Sequence, residues 1–158
     1  MSKSVTAVQA NFRNAKVLIV EDDEDQWVLM DQAWQQCLGE VTLRRVSSLP
    51  AVMSLLEEWH HQEWELPKLI LLDLYLPGKE AGWQFLQKVK AMPSIVSLIP
   101  IIIHSSAPMQ ADIIKSYSLG TSAYLVKPVD FAEWLTYFGE LRAYWWETVT
   151  LPPMSYGL

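Results

Sequence analysis

The sequence predicts an α/β fold: a (βα)5, doubly wound domain in which a five-stranded parallel sheet carries helices on both faces. Five short apolar runs rich in Val, Ile and Leu alternate with five segments of helical spacing, one after each run. The chain has 158 residues, of which 51% are hydrophobic and 19% charged, as expected for one globular domain.

The five apolar runs differ in how continuous they are. Residues 17–20, 69–72 and 99–103 are almost wholly apolar, which is typical of strands buried on both faces of a parallel sheet. Residues 41–46 and 123–126 are weaker and alternate more between apolar and polar side chains. We therefore expect these last two strands to form the edges of the sheet.

The segments that follow the strands carry apolar residues at the spacing of an amphipathic helix. The predicted helices cover about residues 24–38, 49–60, 82–91, 109–119 and 130–146. The sequence outside these elements is polar or rich in proline. We expect an N-terminal arm at residues 1–15, one domain at 16–146 and a C-terminal tail at 147–158.

Composition and charge exclude several functions. The formal net charge of −6 provides no field that would attract nucleic acid or an anionic membrane. Cys37 is the single cysteine, so no internal disulfide forms. The sequence shows neither a signal peptide nor the roughly 18 apolar residues of a membrane helix. We expect a cytoplasmic protein with neither nucleic acid nor membrane as a partner.

Polar residues stand at the carboxyl ends of four predicted strands. The acidic run EDD at 21–23 follows the first strand, while Asp73, Ser105 and Lys127 follow the third, fourth and fifth. Functional groups of open parallel sheets collect at this edge, beside the point where the strand order reverses. The residues expected to converge on one pocket are Glu21, Asp22, Asp73, Ser105 and Lys127.

These residue types suit phosphoryl transfer to a carboxylate. Grouped carboxylates repel one another, and a divalent cation resolves the repulsion. Mg²⁺ prefers octahedral oxygen coordination, so we expect Asp22 and Asp73 to bind it directly and Glu21 to act through water. Tyr75 can add only its backbone carbonyl. Lys127 supplies a cation beside Asp73, the expected nucleophile, because this chemistry depends on positioning and charge neutralisation.

Four motifs resemble those of the receiver domains of two-component response regulators. VLIVEDD, LILLDLYLPG, IIIHSS and AYLVKP match the family's site motifs in order, and the resemblance covers about residues 16–142. It implies a flavodoxin-like sheet with strand order 2-1-3-4-5. It also implies that Asp73 accepts a phosphoryl group from a sensor histidine kinase or phosphotransfer protein, with Mg²⁺ or Mn²⁺ as cofactor. Such a domain is not a turnover enzyme.

The resemblance also implies a conformational switch. Ser105 and Lys127 contact the phosphoryl group, and Tyr124 turns into the space that Ser105 leaves. The surface formed by the fourth helix, fifth strand and fifth helix changes as a result, through a shift between two populated states.

The aromatic ending YWWETVTLPP is similar to that of single-domain regulators that serve phytochrome-type photoreceptor kinases. The similarity implies a homodimer through the surface of the fourth helix, fifth strand and fifth helix. The last predicted helix has two apolar stripes, and one helix cannot bury both against one sheet. The stripe expected to face the sheet contains Phe131, Leu135 and Phe138. The stripe expected to form the interface contains Trp134, Tyr137, Leu141 and Trp145.

The sequence departs from the family pattern at three positions. Gly82 follows the phosphoacceptor one residue later than is common, which puts the conformation of that loop in question. Tyr75 replaces a frequent asparagine, and Ala107 occupies another position beside the phosphate's approach. A bulky ring and a missing polar group should hinder water, so we predict slow self-dephosphorylation.

Other functions stay open on the sequence alone. An aspartyl-phosphate phosphohydrolase usually has a second acid two residues after the nucleophile, where this chain has Tyr75. A flavodoxin-like cofactor protein would have a glycine-rich loop where this chain is acidic. A receiver-like scaffold that is never phosphorylated is the third alternative. Tyr124 can also be an ordinary core residue, and His104 is interpreted as a structural or surface residue.

Overall fold

The structure is a computed structural model and describes residues 9–76 and 78–152. Five parallel strands form one sheet in the order β2-β1-β3-β4-β5, which confirms the predicted order. The strands are β1 (Lys16–Val20), β2 (Thr42–Val46), β3 (Leu69–Asp73), β4 (Ile101–Ser105) and β5 (Ala123–Val126).

One α-helix follows each strand, as predicted. The helices are α1 (Glu24–Leu38), α2 (Leu49–Trp59), α3 (Lys79–Ala91), α4 (Gln110–Ser118) and α5 (Phe131–Leu141). Short 3-10 turns lie at Glu63–Glu65 and Ser94–Leu98. Among the described residues, no helix is long and apolar enough to cross a membrane.

The sheet is covered on both faces, which explains its apolar central strands. Val17 and Ile19 of β1 lie in one core cluster with residues of α1 and α5, whereas Leu18 and Val20 lie in the opposite cluster with residues of α2 and α3. The edge strand β2 is exposed at alternate positions along most of its length, in agreement with its weaker apolar pattern.

The prediction that Trp134 and Leu141 form an exposed interface stripe is wrong. Trp134 is 0% exposed and Leu141 is 3% exposed, and both belong to the core cluster of α1 and α5. Because α5 packs against α1 as well as the sheet, it buries more than one stripe. The Trp134 indole donates to Gln26 Oε1 of α1 at 3.3 Å. The other two members of the predicted stripe, Tyr137 and Trp145, are partly buried against the same cluster.

The last helix is also shorter than predicted. Its α-helical part ends at Leu141, and a π-helical turn covers Arg142–Trp146. Trp146 is fully buried in the core cluster of α1 and α5. Arg142 binds the Glu40 carboxylate with two hydrogen bonds of 2.7 Å, which tie this turn to the segment after α1.

The prediction of an N-terminal arm and a C-terminal tail is wrong for the parts that the structure describes. Residues 9–12 are helical, and the buried Asn11 amide donates to the carbonyls of Trp146 and Val149 at 2.9 and 2.7 Å. In return, the Leu151 N–H donates to Asn11 Oδ1 at 3.0 Å. The two ends of the domain are therefore packed together. Residues 1–8 and 153–158 lie outside the described part.

Candidate functional site

The site lies at the carboxyl edge of the sheet, where the strand order reverses. β1 has β2 on one side and β3 on the other, so the chain leaves β1 and β3 in different directions. Glu21 follows β1 directly, and Asp73 is the last residue of β3. Lys127 follows β5, and its backbone N–H donates to Ser105 O of β4 at 3.0 Å.

Lys127 joins two carboxylates that come from different strands. Its Nζ lies 2.6 Å from Glu21 Oε1 and 2.9 Å from Asp73 Oδ2. Burial lowers the pKa of the Lys127 ammonium, but the hydrogen bonds and charges of Glu21 and Asp73 outweigh that effect, so the net shift of its pKa is upward. Lys127 is therefore a fixed positive charge at this edge of the sheet.

The second oxygen of each carboxylate is held by the backbone. Asp73 Oδ1 accepts a hydrogen bond from the Tyr75 N–H at 3.0 Å, and Glu21 Oε2 accepts one from the Asp23 N–H at 3.1 Å. Arg45 holds the backbone of Glu21, because its Nε donates to Glu21 O at 3.0 Å. Both acids are therefore oriented by the loops that follow their strands, with Glu21 itself buried.

Asp22 lies beside this pair but not within it. Its side chain is exposed and makes no hydrogen bond or ion pair with the residues that the structure describes. In the described part of the chain, no three acidic, histidine or cysteine side chains are grouped closely enough to hold a metal ion. The structure thus groups Glu21, Asp73 and Lys127, but not all five residues that the sequence predicts to converge.

The donors at this edge are chemically suited to a hard divalent cation, although the described structure does not bring three acidic side chains together. Glu21, Asp22 and Asp73 carry three negative charges against the single positive charge of Lys127, which leaves an excess of two. Carboxylate and backbone carbonyl oxygens are the ligands that Mg²⁺ and Mn²⁺ prefer. The exposed Asp22 and the partly exposed Asp73 leave this negative edge open to solvent.

The two predicted switch residues meet at one backbone group. The buried Ser105 hydroxyl donates to Ala107 O at 3.2 Å and accepts from the Ala107 N–H at 3.1 Å. The Tyr124 hydroxyl donates to the same carbonyl at 3.4 Å. A movement of the loop at Ala107 would therefore act on both side chains. Ala107 makes this link through its backbone, so the identity of its side chain could not have predicted the contact.

His104 lies directly opposite Asp73 in the pairing of β3 with β4. Its ring is buried on the α5 side, where Nε2 is 2.7 Å from the Tyr137 hydroxyl and the ring meets Trp134 edge on. Burial, assisted by the charge of Lys127, lowers the pKa of His104 to about 4. His104 is neutral near pH 7, and its burial agrees with a structural and not a surface position.

Sequence reasoning missed Asp112, an acid on α4 that is buried against the loop after Asp73. Its carboxylate accepts a hydrogen bond from the Tyr75 hydroxyl and lies 3.3 Å from Lys79 Nζ. The only signal in the sequence is one acidic residue in the first turn of a predicted helix, a position that is usually exposed. Gly82 is explained by the same loop, since a Cβ at this position would lie 2.9 Å from Leu74 O.

A model of the response regulator receiver domain family matches residues 17–138, which is well over half of the chain. This chain belongs to the response regulator receiver domain family. The matched range of the receiver domain contains every residue of the site just described. It ends within α5, so the π-helical turn and the packed C-terminal segment lie beyond the family's common part.

Several relatives are similar to this receiver domain along nearly their whole length. Response regulator Rcp1 of Synechocystis is 28% identical over 137 residues, which cover 86% of this chain and 92% of Rcp1. A solved structure of the Mn²⁺-bound form of Rcp1 has a TM-score of 0.73 at 29% identity, and covers 87% of this chain and 99% of its own.

A solved structure of the phosphorylated cyanobacterial phytochrome response regulator RcpA is also similar to this receiver domain. Its TM-score is 0.76 at 27% identity, and the match covers 87% of this chain and 98% of that one. The resemblance to phytochrome-associated regulators that the sequence indicated is therefore found again in the comparison with the RcpA structure.

Proposed function

We propose that this protein is a single-domain response regulator that accepts a phosphoryl group on Asp73 and signals through a change in its protein-binding surface. The observation that carries the proposal is the position of Lys127, which pairs with Asp73 at 2.9 Å and Glu21 at 2.6 Å at the strand-order reversal. A carboxylate held beside a fixed cation and a second acid suits charge-neutralised phosphoryl transfer.

In the proposed reaction, an Asp73 carboxylate oxygen attacks the phosphorus of a phosphohistidine on a sensor kinase or phosphotransfer protein. An O–P bond forms, the N–P bond breaks, and the imidazole nitrogen keeps the electron pair and takes up a proton. Asp22, Asp73 and the Tyr75 carbonyl would hold Mg²⁺ or Mn²⁺, with Glu21 acting through water. The bound cation supplies charge neutralisation on the transferring group.

The contact between Ser105, Ala107 and Tyr124 supports the proposed switch. A phosphoryl oxygen that attracts the Ser105 hydroxyl competes with Ala107 O for it, and Tyr124 bonds to that same carbonyl. We expect phosphorylation to release this arrangement and to change the surface formed by α4, β5 and α5. Such a change requires that the phosphoryl group stabilise the new conformation over the resting one by about 1–3 kcal/mol.

The homodimer that the sequence suggested requires a different set of residues. Trp134 and Leu141 are in the core, but α4, β5 and the segments beside them carry other exposed apolar side chains. We define the α4–β5 apolar face as Met109, Ile114, Tyr117, Val126 and Val129, all of which are exposed. Exposed apolar groups on neighbouring elements favour association, so we propose this face as the contact between two copies.

Three further parts of the proposal concern partners and location. The similarity to the phytochrome response regulator RcpA supports a phytochrome kinase as the phosphodonor. The negative net charge supports a protein, and not a nucleic acid, as the partner. We propose a cytoplasmic location, where the kinase and the protein partner would meet this domain. The protein is proposed to be a switch and not a turnover enzyme.

The decisive experiment mixes the protein with Mg²⁺ and acetyl phosphate and measures the intact mass. We expect the gain of one phosphoryl group on Asp73, its absence in Asp73→Asn, and its retention in the surface control Asp25→Asn. Absence of any gain would favour the alternative of a scaffold that is not phosphorylated. Sustained hydrolysis of the donor, with many turnovers per protein molecule, would favour the phosphohydrolase.

Loss of the phosphoryl group is proposed to be slow. The ring of Tyr75 stands two residues after the phosphoacceptor and is fixed through its hydroxyl to Asp112, while Ala107 provides no side chain that could orient water. We expect Tyr75→Asn to shorten the lifetime of phospho-Asp73. An unchanged lifetime of only seconds in both proteins would contradict this expectation.

A further inference from the structure

The loop after Asp73 is joined to α4 by one buried carboxylate. Asp112 lies in the first turn of α4 and is only 1% exposed. One of its oxygens accepts a hydrogen bond from the Tyr75 hydroxyl, and the other lies 3.3 Å from Lys79 Nζ. Tyr75 lies in the loop after Asp73 and Lys79 is the first residue of α3, so this α4 acid contacts the segment that follows Asp73.

The burial of Asp112 makes these partners necessary. A carboxylate removed from water is costly unless its oxygens are hydrogen-bonded or paired with a cation. The N-terminal turn of α4 also favours negative charge. The Tyr75 hydroxyl and the Lys79 ammonium supply one partner for each oxygen of this carboxylate.

A second contact holds α3 against α4 next to this point. The indole of Trp83 on α3 donates to Ser116 Oγ on α4 at 3.1 Å. The ammonium groups of Lys79 and Lys115 lie 5.6 and 4.9 Å from the centroid of the Trp83 ring. The link between the loop and α4 is therefore part of a packed region, and not an isolated surface contact.

Tyr75 makes one hydrogen bond through its backbone and another through its side-chain hydroxyl. Its backbone N–H orients Asp73 Oδ1 at 3.0 Å, and its hydroxyl is bound to Asp112. We propose that Asp112 is a positioning residue for phosphorylation, which acts through Tyr75 to fix the loop that orients Asp73 and couples this loop to α4. The inference rests on the proposed function of Asp73, and it adds a link separate from the one between Ser105 and Tyr124.

One conservative substitution and a matched control test this positioning role. Tyr75→Phe removes only the hydroxyl, and Tyr144→Phe removes a hydroxyl from an exposed tyrosine as the matched control. With Mg²⁺ and acetyl phosphate, we expect Tyr75→Phe to be phosphorylated about fivefold more slowly, the factor that corresponds to one hydrogen bond of ordinary net strength. Tyr144→Phe should match the parent protein.

Asp112→Ala provides the other half of the test. It removes both oxygens that Tyr75 and Lys79 contact, so we expect a decrease in rate at least as large as that of Tyr75→Phe. If both residues act through one contact, the double variant with Tyr75→Phe will be slower by less than the product of the two single effects. Independent, multiplicative effects would overturn the assignment.

Hydrogen exchange of the unphosphorylated protein provides a readout that does not depend on Asp73 chemistry. We expect faster exchange of the amides in the first turn of α4 in Tyr75→Phe, but not in Tyr144→Phe. A parent protein that takes no phosphate refutes the proposed function, while this measurement still tests the link. If the parent is phosphorylated and Tyr75→Phe matches Tyr144→Phe in either rate or α4 exchange, the positioning role is refuted.

Discussion

Replacement of Lys127 by methionine tests the central contact of the site. Methionine keeps much of the aliphatic stem but removes the charge, so Glu21 and Asp73 face each other without a cation. The Lys127, Glu21 and Asp73 side chains are 15%, 3% and 18% exposed, which places all three well below one third. Loss of one partner from a buried ion pair costs about 3–5 kcal/mol, and we take the lower end because Asp73 reaches water.

Urea unfolding in the presence of a metal chelator measures this change, with Lys88→Met on the exposed surface of α3 as the control. We expect the control to differ from the parent by less than about 0.5 kcal/mol. Asp73→Asn in the Lys127→Met background should recover part of the loss, because it removes one of the two opposed charges. A Lys127→Met variant as stable as the control would show that this ion pair contributes nothing to stability.

The pH dependence of the stability difference between the parent protein and Lys127→Met provides a second test of the ion pair. The net upward shift in the pKa of Lys127 means that the folded state binds its proton more tightly than the unfolded state, whose pKa is near 10.5. The stabilisation from Lys127 is therefore complete below that value and is lost as the pH rises through the higher, folded-state pKa. Between pH 7 and 9, we expect a constant difference between the parent and Lys127→Met.

Four other predictions use the same unfolding and association measurements. Trp134→Ala should lower the free energy of unfolding by about 3–5 kcal/mol because its indole is in the core, whereas Trp64→Ala, at a site that is 50% exposed, should have little effect. Burial lowers the pKa of Lys68 to about 8, so the parent should gain stability relative to Lys68→Met as the pH rises from 8 to 10.5. Burial likewise lowers the pKa of His104 to about 4, so its contribution should be lost as the pH falls from 6.5 to 4, and His104→Gln should lack this loss. Val129→Lys should weaken any dimer seen by sedimentation without unfolding the monomer, and an unchanged dimer would exclude Val129 from the contact.

Much of the fold could be predicted because each strand is recognisable from its own short stretch of sequence. Residues 69–72 are apolar at every position, and this pattern fits a central parallel strand buried on both faces. The pairing of Lys127 with Asp73 followed from a general rule, since the carboxyl ends of parallel strands meet at one edge, whereas the direct contact of Lys127 with Glu21 was not predicted. Neither inference required knowledge of how the helices pack.

The errors concern contacts between elements that are distant in sequence. The periodicity of α5 shows which residues share a stripe, but not that α1 provides a second surface that buries Trp134. Asn11 is an ordinary polar residue in a polar segment, yet its amide joins the two ends of the domain. Asp112 was missed for the same reason, because its carboxylate is paired with Tyr75 of the loop after β3 and with Lys79 at the start of α3.

The charges at the site explain why one lysine can serve both the resting and the proposed phosphorylated state. At rest, Lys127 is shared between two acids, so neither carboxylate is neutralised by a cation of its own. A phosphoryl group on Asp73 would add negative charge at the same place, and Lys127 could follow it only by weakening its contact with Glu21. The backbone N–H of Lys127 donates to Ser105 O at 3.0 Å, so the cation and the Ser105 hydroxyl come from neighbouring strand ends. Both can therefore reach a phosphoryl group on Asp73 from the same edge of the sheet.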